Sequence, residues 1–331
     1  MSATILSASP AAIARAAANL RAGELVAFPT ETVYGLGAAA GQREAVARIF
    51  SAKGRPADHP LIVHLPDVTH VTAWARTFPE GARALAQAFW PGPLTLIVPR
   101  TARAEDFVTG GQDSVGLRVP AHPVARELLA VFGDGVAAPS ANRFGRISPT
   151  TARHVADDLG DAVSLILDGG PCAVGIESTI VAFVTDAPVL LRPGGIARAD
   201  LERCLGVSLA TRDGSSPRVP GTLPAHYAPR TPAVLVEPEA LRAELAQSAE
   251  RDEDVAVLAR TVERPAEFED AWIHAPANAA AYAHDLYANL RALDAANADV
   301  ILVEKVPADE TWLAVQDRLM RATRGEDDDR D

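Results

Sequence analysis

The chain has 331 residues, 48% hydrophobic and 22% charged, an ordinary balance for a soluble globular protein with enough length for two cores. Its net charge of -12 argues against extended, non-specific grip on nucleic acid, which rests on a basic face that neutralises phosphate. Two distant cysteines, Cys172 and Cys204, offer neither a disulfide framework nor a zinc site, no apolar run is long enough to span a bilayer, and no charged n-region opens the chain, so cytoplasm is the expected compartment.

Ser9-Pro10 opens an alanine-rich helical pattern that closes at Gly23. Residues 24–28 read as a short strand running into Pro29-Thr30-Glu31-Thr32-Val33-Tyr34-Gly35-Leu36-Gly37, a loop of small and polar groups. A helix is expected over about 42–52. Apolar runs at 61–65, 94–98, 115–119, 164–167, 179–184 and 189–191 read as strands, with helices at 79–89, 123–132 and 150–159 between several of them. The alternation is irregular, which points to one α/β domain around a mixed sheet, residues 1–211. The stretch 212–232 is rich in Pro, Gly and Ser and reads as a linker. Beyond it strands at 234–236, 255–259, 272–274 and 300–303 alternate with helices at 238–248, 278–296 and 310–323. That regularity favours a small, parallel, Rossmann-like sheet over 233–324, followed by a charged, frayed tail at 325–331.

Several motifs could carry chemistry. Gly35-Leu36-Gly37-Ala38-Ala39-Ala40 matches the dinucleotide fingerprint, but Pro29 to Tyr34 separates the glycines from the strand, so the geometry is wrong. No Gly-Lys pair is present, so a Walker A loop is absent. Lys53-Gly54-Arg55-Pro56 places two cations beyond a helix, where they suit phosphate oxygens or simply cap the helix. His64 ends an apolar strand, and Arg118 interrupts one in Gly116-Leu117-Arg118-Val119-Pro120. Ala138-Pro139-Ser140-Ala141-Asn142 offers small polar groups at a strand end, as binding groups or as an ordinary turn. Glu177-Ser178-Thr179, Arg192-Pro193-Gly194 and His226-Tyr227-Ala228-Pro229 complete the set. No HExxH pair appears, so a metal held only by protein is not expected, whereas a magnesium ion arriving with a nucleotide needs few protein ligands.

Each motif alone has a bland reading; their order does not. The succession Pro29-Thr30-Glu31-Thr32-Val33-Tyr34-Gly35-Leu36, Lys53-x-Arg55-Pro56, Pro60-Leu61-x-x-His64, Gly116-Leu117-Arg118-x-Pro120 and Pro139-Ser140-Ala141-Asn142 strongly resembles the YrdC-domain family. Ser178-Thr179 and Arg192-Pro193-Gly194 agree with it, and the linker motif with a C-terminal α/β domain resembles its two-domain branch, the L-threonylcarbamoyladenylate synthases. The resemblance implies a YrdC-like fold with a twisted mixed sheet plus a Rossmann-like domain. It implies that threonine's amine captures carbon dioxide derived from bicarbonate, that a carbamate oxygen attacks the α-phosphate of ATP, and that pyrophosphate leaves. The product passes to a downstream enzyme that modifies an adenosine of tRNA; no stable nucleic-acid complex is expected, and the alternative function is an RNA-binding module without catalysis.

By the same resemblance Lys53 and Arg55 are the catalytic cations. Lys53, Arg55, His59, Ser114, Ser140, Asn142, Ser148, Arg192 and Tyr227 contact ATP, and Thr32, His64, Arg118, Ala138 and Ser178 contact L-threonine. Mg2+ accompanies the ATP. The linker reads as a lid over the site. Two departures stand out: His59 lies where the family usually has Asn, and Val219 precedes Pro220-Gly221 where it often has Ser.

Overall fold

A computed structural model describes residues 4–223 and 225–324, so the charged stretch 325–331 lies outside the described residues. The chain divides into two compact units: the first holds residues up to 144 and 148–222, the second 145–147 and 223 onward. The Pro/Gly-rich stretch 212–232 is therefore divided between them.

The first unit is built from β1 (Thr4–Ser7), α1 (Pro10–Arg21), β2 (Val26–Phe28), β3 (Gly35–Ala39), α2 (Arg43–Lys53), β4 (Ile62–His64), α3 (Val71–Trp74), α4 (Glu80–Phe89) and β5 (Leu94–Pro99). It continues through α5 (Asp106–Thr109), β6 (Ser114–Arg118), α6 (Pro123–Phe132), β7 (Val136–Ala137), α7 (Ala152–Leu159), β8 (Leu165–Asp168), β9 (Thr179–Ala182), β10 (Val189–Arg192), α8 (Arg198–Leu205) and β11 (Ala210–Thr211). The strands form one mixed sheet in the order β1-β8-β2-β3-β7-β4-β6-β5-β9-β10-β11. Local chemistry sets the helix ends. Ser9 accepts a hydrogen bond from the Ala12 amide with Pro10 in the first turn of α1. Gly54, at φ 63°, ends α2 in the left-handed conformation, so the chain turns between Lys53 and Arg55.

Side chains alternate between the two faces of the sheet, and what covers each face decides where a ligand can lie. One face carries Leu61, Val63, Leu94, Leu96, Val98, Val115 and Leu117, packed with Val46 and Ile49 of α2, Leu85 of α4 and Val155 of α7. The opposite face is covered by helices over only part of its width. There Val26, Phe28, Leu165 and Leu167 pack under Ile13 and Leu20 of α1 and Leu128 and Leu129 of α6. Over β4, β5, β9 and β10 that same face instead carries Ile62, Ile97, Ile180, Ala182 and Leu191, covered by Val219 from the Pro/Gly-rich stretch. A mixed sheet with helices on one side and an irregular segment on the other leaves room for a binding face there.

Three strands escaped the sequence reading, among them the two-residue β11. β1 pairs in parallel with β8, Thr4 to Leu165 through Ser7 to Asp168. β3, read as loop, pairs antiparallel with β2 and β7. Its sequence GLGAA holds no β-branched residue, so propensity is silent. Packing explains it: a Cβ on Gly37 would lie 2.8 Å from the Phe28 ring and 3.0 Å from Val136.

The second unit matches the small parallel α/β reading. Its elements are β12 (Ala233–Val236), α9 (Leu241–Glu250), β13 (Val255–Ala259), β14 (Trp272–His274), α10 (Ala279–Asp294), β15 (Val300–Glu304) and α11 (Leu313–Ala322), with all strand pairings parallel in the order β12-β15-β13-β14. Val236, Leu241, Val255, Val257 and Leu302 form its core. Residues 145–147 join this unit: the Ala228 amide donates to the Gly145 carbonyl at 2.9 Å, and Arg146 bridges Ala228. Among the described residues no helix is long and apolar enough to cross a membrane.

Candidate active site

Strand register assembles the site. His64 lies opposite Arg118 on β4 and β6. Leu96 lies opposite Leu117, which brings Thr95 opposite Arg118. Thr95 in turn faces Ile180, and Ile180 faces Arg192. One transverse row therefore runs His64, Arg118, Thr95, Ile180, Arg192, and neighbours in such a row project from one face. The next row, Ile62, Gly116, Ile97 and Ala182, is apolar with a gap at its glycine. Ser114 stands two residues before Gly116 on this face. A polar row beside an apolar one forms the floor of the site, on the part of the face that helices leave uncovered.

Arg118 is held from three directions. Its Nη2 donates to Glu31 Oε1 at 2.6 Å, Nη1 to Thr32 Oγ1 at 3.0 Å and Nε to the Gly92 carbonyl at 3.3 Å. Because Thr32 Oγ accepts from Arg118, it donates to Thr30 Oγ1 at 2.8 Å, and Thr30 donates to the Val33 carbonyl at 2.6 Å. The loop 29–34 is thus a rigid strap with its hydroxyls already oriented. Tyr34 anchors the end of it, donating to the Gly170 carbonyl at 2.8 Å. Burial would raise the Glu31 pKa, but the Arg118 charge and its hydrogen bond prevail and hold the carboxyl below its ordinary value. His64 is pushed down to about 3 by burial and, second, by the Arg118 charge, so it is a neutral imidazole, edge-on to Phe28. Ala138 closes this side, its amide donating to the Ile62 carbonyl at 3.0 Å.

A second cluster surrounds the end of α2. Lys53 Nζ donates to the carbonyls of Ser140 (2.7 Å) and Asn142 (2.6 Å), and the Lys53 carbonyl accepts from the Phe144 amide at 2.8 Å. Lys53 therefore clamps the 140–144 loop from a buried position. Burial, reinforced by the neighbouring Arg55 charge, pushes its pKa well below the ordinary lysine value. Arg55 Nη2 donates to the Pro60 carbonyl at 2.9 Å. His59 lies edge-on to Phe144 at 5.3 Å, its pKa lowered by burial and then by Arg55. The departure from Asn at this position thus supplies an imidazole biased toward its neutral form. Ser148, fully buried, donates to Glu177 Oε1 at 2.5 Å.

The third cluster joins the starts of β9 and the end of β10. Arg192 donates to the Ser178 carbonyl through Nε (3.1 Å) and Nη2 (2.9 Å), and Ser178 Oγ pairs with Thr95 Oγ1 at 2.8 Å. Arg192 Nη1 also holds the Pro220 carbonyl at 2.8 Å. Gln112 brackets Arg218, accepting from its amide at 2.8 Å and donating to its carbonyl at 3.0 Å. Val219, the departure from Ser, is buried on the apolar row, which accounts for an aliphatic residue there. Tyr227 belongs to the second unit. Its ring stacks on Tyr287 at 5.6 Å, lies 5.2 Å from the Arg318 guanidinium carbon, and its backbone sits at φ 63°, uncommon for a bulky residue.

The structure thus gathers Thr32, His64, Arg118 and Ser178 with Arg192, and Lys53 with Ser140 and Asn142. Sequence reasoning missed Glu31, Thr95 and Glu177 as members of these networks. Thr95 and Glu31 carried the same signal as Arg118, a polar residue where neighbours are apolar or where a loop is constrained, but hydroxyls and carboxylates are too common there to stand out. Among the described residues no three His, Cys, Asp or Glu side chains converge to hold a metal ion.

Known proteins resemble this chain over nearly its whole length. A family model, Sua5_yciO_yrdC, described as telomere recombination, matches residues 18–194. A second, the C-terminal domain of threonylcarbamoyl-AMP synthase, matches residues 196–323. The threonylcarbamoyl-AMP synthase of Bacillus subtilis (strain 168) is 42% identical over 97% of this chain and 95% of its own length. That of Pyrococcus abyssi (strain GE5 / Orsay) is 38% identical over 93% of each chain. A crystal structure of P. abyssi Sua5 complexed with L-threonine superposes with a TM-score of 0.89, at 38% identity, over 97% of this chain and 96% of that one.

Proposed function

Because the chain belongs to the Sua5/YciO/YrdC family in its two-domain, threonylcarbamoyl-AMP synthase form, we propose that it makes L-threonylcarbamoyl-AMP from L-threonine, bicarbonate-derived carbon dioxide and ATP. Pyrophosphate is released, and the product serves the first step of tRNA threonylcarbamoyladenosine formation. The observation that carries the reading is the row that brings His64, Arg118, Thr95 and Arg192 together on the part of the sheet face that helices leave uncovered, with Lys53 clamping the small-residue loop at Ser140 and Asn142. Threonine carbamate and triphosphate are both anions, and bringing them together requires cations that are already in place.

In this reading Arg118 and His64 take the threonine carboxylate, with Thr32, Ala138 and Ser178 beside the amino acid. Lys53, Arg55, His59, Ser114, Ser140, Asn142, Ser148 and Arg192 contact the nucleotide. A carbamate oxygen forms the new bond to the α-phosphorus as the bond to pyrophosphate breaks. Mg2+ would enter with the triphosphate and offset its charge, a role that asks for few protein ligands. The linker shields the product, a mixed anhydride that water destroys, until a downstream transfer enzyme takes it; Val219 packed over the apolar row supports such a cover. The reaction is placed in the cytoplasm with its tRNA pathway. The RNA-binding alternative finds no support in relatives that are named as synthases over nearly their whole length.

The test is pyrophosphate release with ATP, Mg2+, bicarbonate and threonine, with the product identified by mass. Release should require threonine and bicarbonate and stop on chelation of the metal by EDTA. Threonine-independent release, or none, refutes the reading.

A further inference from the structure

We propose that Glu31 is the ammonium-binding residue of the site, and that the buried Glu31–Arg118 pair recognises the amino acid as a zwitterion. The proposal rests on the threonine reading given above and assigns a role to a residue outside the set named there.

The pair is built, not incidental. Glu31 Oε1 lies 2.6 Å from Arg118 Nη2, with the two side chains 10% and 5% exposed. Glu31 Oε2 accepts from the amides of Ala121 (2.9 Å) and His122 (3.4 Å), and the Glu31 carbonyl accepts from the Val174 amide at 2.7 Å. The carboxylate is therefore fixed by Arg118 and by the backbone at 121–122, and the Glu31 backbone by Val174. Burying two charges is costly, and a buried ion pair is often no more stabilising than apolar residues of the same volume. Stability alone is a poor reason for one at the floor of a site.

Donor and acceptor accounting leaves both partners capacity for a ligand. A guanidinium has five N–H groups, and Arg118 commits three, to Glu31, Thr32 and Gly92. Two N–H groups remain to receive a carboxylate. A carboxylate oxygen accepts about two hydrogen bonds. Oε2 accepts from Ala121 and, at 3.4 Å, from His122; Oε1 accepts from Arg118, and Glu31's own amide also lies against the carboxylate. The Oε1 side of Glu31, reached by one side-chain donor, adjoins Arg118 Nη2, which keeps one further N–H for a ligand.

Charge decides which ligand fits. His64, next to Arg118 in the row, is neutral, so beside Glu31 the adjoining positive group is Arg118, with Arg192 farther along the row. Such a site is complementary to a zwitterion. A simple carboxylate would satisfy Arg118 and be repelled by Glu31; a simple amine would do the reverse. The ionised state of Glu31, favoured by Arg118 against burial, is what makes this work at neutral pH. After carbamate formation the nitrogen keeps an N–H, which Glu31 can still accept.

The experiment is calorimetric binding of three ligands to the full-length protein: L-threonine, its 2-hydroxy analogue 2,3-dihydroxybutyrate, and L-threoninol. Wild type should bind threonine about tenfold or more tighter than either, the scale of one lost charge-assisted hydrogen bond. Glu31→Gln should weaken threonine by about tenfold and tighten the dihydroxy acid, so that the preference collapses or reverses. Glu31→Asp, which keeps the charge, should retain the order. If wild type binds the dihydroxy acid as well as threonine, the proposal fails without recourse to any variant. Equal weakening of both ligands in Glu31→Gln would reduce Glu31 to a structural brace. If wild type binds none of the three, it is the threonine reading itself that falls.

Discussion

Arg192 grips the start of β9 through Ser178, with Nε and Nη2 sharing the Ser178 carbonyl at 3.1 and 2.9 Å and Nη2 reaching the Ser178 hydroxyl at 3.2 Å. Its remaining nitrogen holds Pro220 at 2.8 Å. One planar fork thus ties β10, the hydroxyl that pairs with Thr95, and the Pro/Gly-rich stretch. Gly194 permits the approach, since a Cβ there would lie 2.4 Å from the Thr179 nitrogen.

Lysine keeps the charge of arginine but not the fork. Arg192→Lys should therefore leave Ser178 and Pro220 incompletely bonded, lowering stability by about 1–3 kcal/mol in urea titration. Limited proteolysis between 212 and 222 should speed up as Pro220 is released. Unchanged stability together with unchanged cleavage would mean that these contacts contribute nothing beyond charge.

Lys53 leads to a pH-linked prediction. Burial and Arg55 hold its pKa well below the ordinary value, so the free protein has a weakened hold on that proton. A bound polyphosphate favours the ammonium form, and binding should draw a proton in. Calorimetry of ATP binding in two buffers of different ionisation enthalpy should show net proton uptake above neutral pH, and ATP affinity should fall as pH rises. Lys53→Met should abolish the uptake. Arg55→Ala should instead weaken ATP at every pH, because a guanidinium keeps its charge, and should abolish turnover while the protein still folds. Proton uptake that survives in Lys53→Met assigns it to another group.

In the second unit Glu304 ends β15 with its carboxylate among backbone donors. It accepts from the amides of Arg260 (2.7 Å), Thr261 (2.8 Å) and Val262 (3.1 Å), and from the Thr261 hydroxyl. Burial would raise its pKa, but these donors outweigh it and the value lies below the ordinary 4.5. The folded state then holds the proton less tightly than the unfolded one, so the contribution is complete above about pH 4.5 and lost as pH falls through the lowered folded value. Glu304→Gln should lower stability at pH 7 by about 1–3 kcal/mol and flatten the acid limb of the stability–pH curve. Parallel acid limbs for the two proteins would exclude Glu304 as a source of that dependence.

How far the sequence speaks depends on whether a residue's signal is local. Arg118 interrupts an apolar strand and His64 ends one, signals that mean little alone; the order of the motifs around them made them legible, and register then shows them side by side. Thr95 breaks its strand too, yet threonine is common in sheets and says nothing by itself. β3 was illegible because GLGAA has no strand propensity, and only the Phe28 ring across the sheet demands glycine at 37. Glu31 lay in a loop rich in small polar groups; its partner is 87 residues away, and no local pattern encodes that distance. The linker read as one stretch because its composition is uniform, whereas Val219 and Tyr227 pack in different units.

The last prediction concerns the amino-acid side chain. Thr32 and Ser178 present oriented hydroxyls: Thr32 Oγ is committed to Thr30 as donor and to Arg118 as acceptor, and Ser178 Oγ to Thr95 and Arg192. Polar groups this buried discriminate by what is left unpaired. Serine in place of threonine keeps the hydroxyl and loses one methyl, worth about 1 kcal/mol of burial, or roughly fivefold. Valine keeps the shape but leaves a polar group without its partner, about 1–3 kcal/mol. Turnover measured as kcat/KM by pyrophosphate release should therefore rank threonine first, serine several-fold lower, and valine lower still. Ser178→Ala should narrow the gap between threonine and valine if Ser178 reads the hydroxyl, while lowering threonine turnover. Valine turned over as fast as threonine by the wild-type protein would mean that the site reads shape alone.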